Sequence, residues 1–139
     1  RRLRVLLSPA SPMCVNGPSW VSENVLEKYP EEELTVYAVW FNMIPGDRKG
    51  RWNPELLNDE RITHYWDEER VLGKWISKNV EGCAHLGPID WDSYYLFDKD
   101  GEWNDTFEGV EACGTPIFKE TERLKQAAAG LFEASSEDK

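Results

Sequence analysis

The sequence predicts an α/β fold in which a central mixed β-sheet is flanked by helices. Short apolar segments alternate with segments of helical periodicity, as in sheets covered by helices on both faces. Towards the end of the chain two strand-like segments follow one another and precede a helix, which predicts a C-terminal β-hairpin and helix. The 139 residues are 40% hydrophobic, enough for one core. We expect a single domain over residues 1–134 and a polar tail over 135–139.

Each predicted element in the first half of the chain rests on a local pattern. The run Leu34–Phe41 is β-branched and aromatic, and it is placed centrally in the sheet because it is apolar almost throughout. Val21, Val25 and Tyr29 recur every fourth residue and give the first helix an apolar stripe. The predicted elements are a strand at Leu3–Leu7, a helix from about Pro12 to Tyr29 with Gly17-Pro18 near its start, the strand Leu34–Phe41, a turn at Pro45-Gly46-Asp47 and a short helix at Asn53–Leu57.

The predicted elements in the second half of the chain also rest on local patterns. Asp67 is expected to cap a helix that runs to about Asn79, with Glu68 and Glu69 in its first turn and Val71, Leu72, Trp75 and Ile76 on its apolar face. Asp98-Lys99-Asp100-Gly101 has the composition of a hairpin turn. The predicted elements are strands at Ile62–Trp66, Tyr94–Phe97 and Glu102 to about Val110, and a last helix from Thr121 to about Ala134 with Leu124, Ala128, Leu131 and Phe132 facing inward.

The charge of the chain excludes several functions. Its 16 Lys and Arg against 26 Asp and Glu give a formal net charge of −10, which repels nucleic-acid phosphates, so we expect no nucleic-acid partner. No apolar run approaches the ~20 residues that span a bilayer, so we expect no membrane span in this chain. Neither a G-x-G-x-x-G motif nor a P-loop is present, and we expect no cofactor.

The sharpest chemical signal is Ser11-Pro12-Met13-Cys14, which lies between the first strand and the first helix. A thiol at a helix N-terminus lies beside unpaired N–H groups and the positive end of the helix dipole. Both stabilise the thiolate, so the pKa of Cys14 should lie below the free value of about 8.5. The simpler interpretation is an ordinary helix start, with Ser11 as N-cap and Pro12 at the first helical position.

With these elements in order, the chain resembles the thioredoxin-like family. The resemblance covers nearly the whole chain in element order and rests on few residues in motif identity. Cys14 takes the second position of the C-x-x-C motif, and Pro18 resembles the helix proline that follows it. It implies thiol–disulfide oxidoreductase chemistry, with a protein thiol, a protein disulfide or a docking protein as partner.

Ser11 departs from the family pattern, because it stands where the attacking cysteine would be. A serine hydroxyl has no comparable nucleophilicity without a base, and the sequence offers no obvious base. Three explanations stay open: a natural monothiol or redox-inactive member, an engineered replacement of cysteine or selenocysteine, or a resemblance of architecture only. With Ser11 in the place of the attacking cysteine, the motif cannot cycle between a dithiol and a disulfide.

The resemblance also implies a wall opposite the motif, just before the penultimate strand. In the family a cis-proline lies there, and Pro88 falls in this region but several residues early. If Pro88 is not the counterpart, Asp92 or a neighbour replaces it. We expect Pro88, Trp91 and Asp92 to bind substrate together with Pro12 and Met13. Asp90 and Asp92 flank Trp91 and share a face if the segment is extended.

Two alternatives to redox chemistry follow from the remaining residues. One is a non-enzymatic module that docks a partner across the Cys14 face, where Trp20 and Trp91 would form an aromatic lip. The other is a soft-metal carrier that uses Cys14 and Cys83. Cys83 and Cys113 could instead form a structural disulfide, which the sequence does not decide.

Overall fold

The computed structural model describes residues 3–10, 16–30, 34–43, 49, 59–80, 83, 87–115 and 117–137. Within them the chain forms one five-stranded mixed sheet, in the order β3-β2-β1-β4-β5. β1, β2 and β3 are parallel to one another, and β4 and β5 run antiparallel beside β1. The elements are β1 Leu3–Ala10, α1 Asn16–Val21 continued by a π-helical turn Ser22–Leu26, β2 Leu34–Trp40, β3 Ile62–Trp66, α2 Val71–Asn79, β4 Ser93–Trp103, β5 Phe107–Gly114, a 3₁₀ turn Ile117–Lys119 and α3 Thr121–Glu137.

The predicted order of strands and helices is confirmed. β2 has a partner on each side, as its apolar composition predicts, while β1 is the middle strand. The last helix runs to Glu137, so it continues into residues expected to form a polar tail. The predicted turn at residues 45–47 and the short helix at 53–57 lie outside the described residues.

Helices cover both faces of the sheet. On one face the first helix and α3 bury a core that includes Val25, Trp40, Leu96 and Phe132, and Tyr29 stacks on Phe132 with ring centroids 4.7 Å apart. On the other face α2 packs on a second cluster through Ile76 and the residue that follows the helix, Val80. Because successive side chains of a strand point to opposite faces, β1 supplies Val5 to the first core and Leu6 to the second.

The start of α2 differs from the prediction. Arg70 adopts a left-handed conformation (φ 59°, ψ 35°), so the helix begins at Val71, and Glu68 and Glu69 lie in the preceding turn instead of the first helical turn. Asp67 still caps the helix, because its carboxylate accepts hydrogen bonds from the N–H groups of Val71 (3.0 Å) and Leu72 (2.8 Å). Val71 is exposed and does not share the buried face of Ile76.

The hairpin turn is also displaced from its predicted position. Residues 98–101 belong to β4, and the chain reverses at Asn104–Thr106, where the Asn104 N–H donates to the Thr106 carbonyl at 3.0 Å. Phe97 pairs with Val110, and Glu102 pairs with Glu108, so four residues of β4 bulge out opposite Gly109. Cross-strand packing of Trp103 on Phe107 (5.1 Å) closes the hairpin beyond the bulge.

Candidate functional site

The predicted motif is bounded by two described elements. β1 ends at Ala10 and α1 begins at Asn16, with Pro18 in its first turn. Ser11, Pro12, Met13 and Cys14 themselves lie outside the described residues, so their roles stay predictions. The helix ends at Leu26, before the predicted end at Tyr29.

The sheet register brings two other chain segments beside the end of β1, the end of β2 and the start of β4. Ser8 pairs with Ser93, the first residue of β4, and Ala10 pairs with Trp40, the last residue of β2. The segment 87–92, which leads into β4, therefore approaches the sheet at the end where β1 finishes. Pro88, Trp91 and Asp92 belong to this segment, and their role in binding substrate stays a prediction.

Pro88 and Asp92 have different positions and environments within this segment. Pro88 is exposed and lies five residues before the first residue of β4. Asp92 is half-buried, immediately precedes β4 and has a positive φ of 53°. Its carbonyl accepts a hydrogen bond from the Ile117 N–H at 3.0 Å. Asp92 thus lies directly before the penultimate strand of the sheet.

Burial sets the protonation of Asp92. Removal from water raises the pKa of its carboxyl to about 6, and the Ile117 N–H opposes this shift. Trp91 beside it is half-buried, and its carbonyl accepts a hydrogen bond from the Thr115 hydroxyl at 3.0 Å. The segment is thereby tied to the chain that follows β5.

Asp90 does not form a carboxylate pair with Asp92 on an extended face. Asp90 is fully buried, and its side chain accepts a hydrogen bond from the Ser93 hydroxyl at 2.6 Å. Its own N–H donates to the Gly73 carbonyl of α2 at 2.8 Å. The left-handed turn at Asp92 separates the two carboxyl groups, whereas the expectation assumed an extended segment.

A buried tyrosine adjoins this carboxyl group. Burial raises the pKa of Tyr95 well above its usual value, and the negative charge of Asp90 raises it further. The spacing Asp90-x-x-Ser93 is a sequence signal that could have indicated this polar cluster, because a buried carboxylate needs nearby donors. Its contact with Tyr95 depends on the sheet and has no local signal.

Cys83 and Cys113 form a disulfide that joins the segment after α2 to the edge strand β5. Their Cα atoms are 6.0 Å apart, and both residues are half-buried. Cys113 pairs with Tyr95 across β4 and β5. The bridge decides the question that the sequence left open and leaves Cys14 as the one cysteine of the three outside it.

The bridge also bears on the metal alternative. A sulfur bonded to Cys113 is not a thiolate, so Cys83 cannot serve as a soft-metal ligand in this form. Within the described ranges, no cluster of three or more His, Cys, Asp or Glu side chains is arranged to hold a metal ion.

The structure is similar to the solution structure of a thioredoxin-like protein in its oxidised form. The likeness has a TM-score of 0.56 and covers 94% of this chain and 80% of that one, with 19% identical residues. No protein-family model matches the chain, and no curated protein matches it in sequence. The chain has a thioredoxin-like fold.

In the part of the chain that the structure describes, no helix is both long enough and apolar enough to cross a membrane.

Proposed function

We propose that the chain is a thiol–disulfide oxidoreductase-like protein whose site lies at Ser11–Cys14 and the facing segment 87–92. The observation that carries this proposal is the pairing of Ser8 with Ser93, which brings the end of β1 beside the start of β4 within a thioredoxin-like fold. Cys14 is the thiol of this site, and Ser11 occupies the place of the attacking cysteine. Pro88, Trp91 and Asp92 contact the partner protein.

The chemistry requires two thiols in succession. A first thiolate attacks a substrate disulfide, forms a mixed disulfide and releases one substrate thiolate. A second thiolate then attacks the mixed disulfide, releases the other substrate thiolate and leaves the motif oxidised. With Ser11 in the first place, Cys14 alone completes neither the exchange nor a turnover.

The test is the substitution Ser11→Cys in the full chain. We expect the unchanged chain to show no catalysed reduction of insulin by dithiothreitol, and Ser11→Cys to show clear turnover, because the substitution restores a dithiol. The matched control is Ser11→Cys combined with Cys14→Ala, which restores one thiol only. Turnover by the unchanged chain, or an inactive Ser11→Cys variant, would contradict the proposal.

A second candidate is a non-enzymatic binding module that docks a partner on the same segment. It is favoured by Trp91, which is half-buried and whose carbonyl accepts a hydrogen bond from the Thr115 hydroxyl. Two variants distinguish the candidates. A binding module retains its partner in Ser11→Ala and gains no turnover in Ser11→Cys.

A further inference from the structure

The α2 face of the sheet carries an open groove. The groove has a volume of about 890 Å³, and its walls come from β1, β2, β3, the start of α2 and the end of β4. Asn104, at the turn after β4, lines one end of it. β1 begins at the side of the sheet where β4 finishes, since Arg4 pairs with Phe97. On the β3 side of the groove, Tyr65 pairs with Val39, so the groove there reaches the level where β1 ends.

Exposed apolar side chains converge on this groove. Among the described residues the large hydrophobic side chains classed as exposed are Tyr37 (37%), Tyr65 (49%), Val71 (61%) and Trp103 (52%). All four line the groove, although they come from β2, β3, α2 and β4. Single exposed apolar residues are ordinary on a protein surface, whereas a convergent group marks an interaction site.

The side chain of Trp103 is held in place by other aromatic rings. Trp103 packs against Trp75 with ring centroids 5.3 Å apart and against Phe107 at 5.1 Å. Phe107 in turn contacts Tyr95 and Phe97 at 5.1 and 5.2 Å. The ring of Trp103 is thus anchored to the core while half of the side chain remains open to solvent.

The charged side chains that line the groove indicate which kind of apolar ligand it binds. Among the described residues, the charged ones that line it are Asp67 and Glu102, both acidic, in a chain with a net charge of −10. Asn104 also lines it and donates a hydrogen bond to Glu102 at 3.0 Å. Two acidic and two basic residues, Glu68, Glu69, Arg70 and Lys74, line an adjoining shallow depression that shares Val71 with the groove. Exposed tryptophan and tyrosine faces attract cations as well.

The dimensions fit a segment of polypeptide. The groove crosses the sheet from β3 to β4, three strand spacings or roughly 14 Å. An extended chain of four or five residues covers about that distance at ~3.3 Å per residue.

We propose that this groove binds a segment of another protein in which apolar side chains alternate with lysine or arginine. The apolar side chains cover the tyrosines and Val71, and a cation lies against Trp103 and Glu102. The proposal does not depend on Ser11 or Cys14, so its test is independent of the redox proposal.

The test measures binding of fluorescently labelled peptides to the full chain by anisotropy. The probe is a short peptide of alternating leucine and lysine, and its analogues carry glutamine or glutamate in place of lysine. We expect the lysine peptide to bind at least roughly ten-fold more tightly than the glutamate peptide, with the glutamine peptide between them and with affinity that falls as salt rises.

Substitutions locate the binding. Trp103→Ala is expected to weaken binding by roughly ten-fold or more, as for central aromatic contacts. Tyr65→Thr lies on a different strand and introduces a residue that is suited to a strand. It should weaken binding too. This second variant guards against an effect of Trp103→Ala on the β4–β5 hairpin. Glu102→Gln should reduce the salt dependence, and the matched control Glu111→Gln, an exposed residue of β5 outside the groove lining, should not.

Several results would overturn the proposal. Equal binding of the three peptides would mean that charge plays no part, and equal effects of Glu102→Gln and Glu111→Gln would assign the attraction to the overall charge. Failure of the lysine peptide to bind would exclude this ligand chemistry. A dimer that Trp103→Ala converts to a monomer would make a second copy of the chain the occupant.

Discussion

At the scale of single residues, Asp92 shows how one backbone conformation and one carboxyl group can mark a candidate site. It holds a positive φ of 53° directly before β4, and burial raises the pKa of its carboxyl to about 6. Asparagine tolerates this backbone region as well as aspartate does, so Asp92→Asn removes the charge without backbone strain.

We therefore predict a pH-dependent gain of stability in Asp92→Asn. The folded-state pKa lies above the unfolded value of 3.8, so the contribution of Asp92 is fully present below pH 3.8 and is lost as pH rises through about 6. At pH 7 the variant should be more stable by about 1 kcal/mol, a figure reduced for the half-exposed position. Urea unfolding at pH 4 and pH 7 measures the difference, which should disappear at the lower pH.

Asp59 provides a control with the opposite sign. The Arg61 side chain, which donates to it at 2.9 and 2.8 Å, holds the pKa of Asp59 below its usual value. Its stabilisation is present above pH 3.8 and is lost as pH falls through the lowered pKa. Asp59→Asn should therefore lose stability at pH 7. If both variants shifted stability in the same direction, the assignment of these pKa changes would be wrong.

At the scale of elements, the β4–β5 bulge depends on two glycines that face each other. Gly109 has φ 74°, and a Cβ atom there would lie 2.6 Å from the Cα of Gly101. The close approach lets four residues of β4 lie opposite one residue of β5. This arrangement explains why the Asp100-Gly101 pair, which resembles a hairpin turn in sequence, lies within a strand.

We predict that Gly109→Ala destabilises the protein by about 2 kcal/mol or more, because it combines backbone strain with a clash. The matched control is Gly130→Ala on an exposed position of α3, where no atom lies within 4 Å of the added Cβ. Alanine should stabilise that helix by up to about 1 kcal/mol. Chemical denaturation of both variants measures the contrast, and a Gly109→Ala variant as stable as the unchanged chain would refute the described bulge.

The sequence predicts elements well where the pattern is local. Val21 and Val25 do form the inner face of the first helix, Tyr29 packs against the same core beyond the end of that helix, and Leu124, Ala128 and Phe132 are buried as predicted. The predictions fail where distant residues decide. Contact between Trp103 and Phe107 moves the hairpin turn beyond the bulge, and the left-handed Arg70 delays α2, neither of which has a local signature.

The predictions for the candidate site also divide into those that the sequence supports and those that depend on the sheet. The residues Pro88, Trp91 and Asp92 fall in the segment beside the end of β1, and their part in a site stays a prediction. The buried Asp90, its contact with Tyr95 and the pairing of Cys83 with Cys113 depend on the sheet register, so the sequence could offer only options for them. The exposed aromatic groove could not be predicted from the sequence either, since its residues come from five different elements.

At the scale of the whole molecule, the disulfide ties the chain after α2 to the edge strand β5 across 30 residues of sequence. Closing a loop of this length restricts the unfolded chain and typically adds about 2–4 kcal/mol to the free energy of unfolding. We predict that Cys83→Ser and Cys113→Ser each lower stability by about that amount, measured by urea unfolding without reductant.

Cys14→Ser serves as the control for the bridge, because Cys14 lies outside it. This variant should still lose stability when dithiothreitol is added, whereas the two bridge variants should not respond to reductant. A Cys14→Ser variant that no longer responds would place Cys14 in the disulfide and contradict the observed pairing.

The measurement that tests the account most directly is the pKa of Cys14, from the pH dependence of its alkylation by iodoacetamide. The bridge between Cys83 and Cys113 makes the reaction specific, since it leaves one cysteine of three to react. We predict a pKa well below the free value of about 8.5, because a thiol in this place precedes the N-terminal end of a helix. A pKa at or above the free value, or a thiol that does not react without denaturant, would contradict a redox site at this motif.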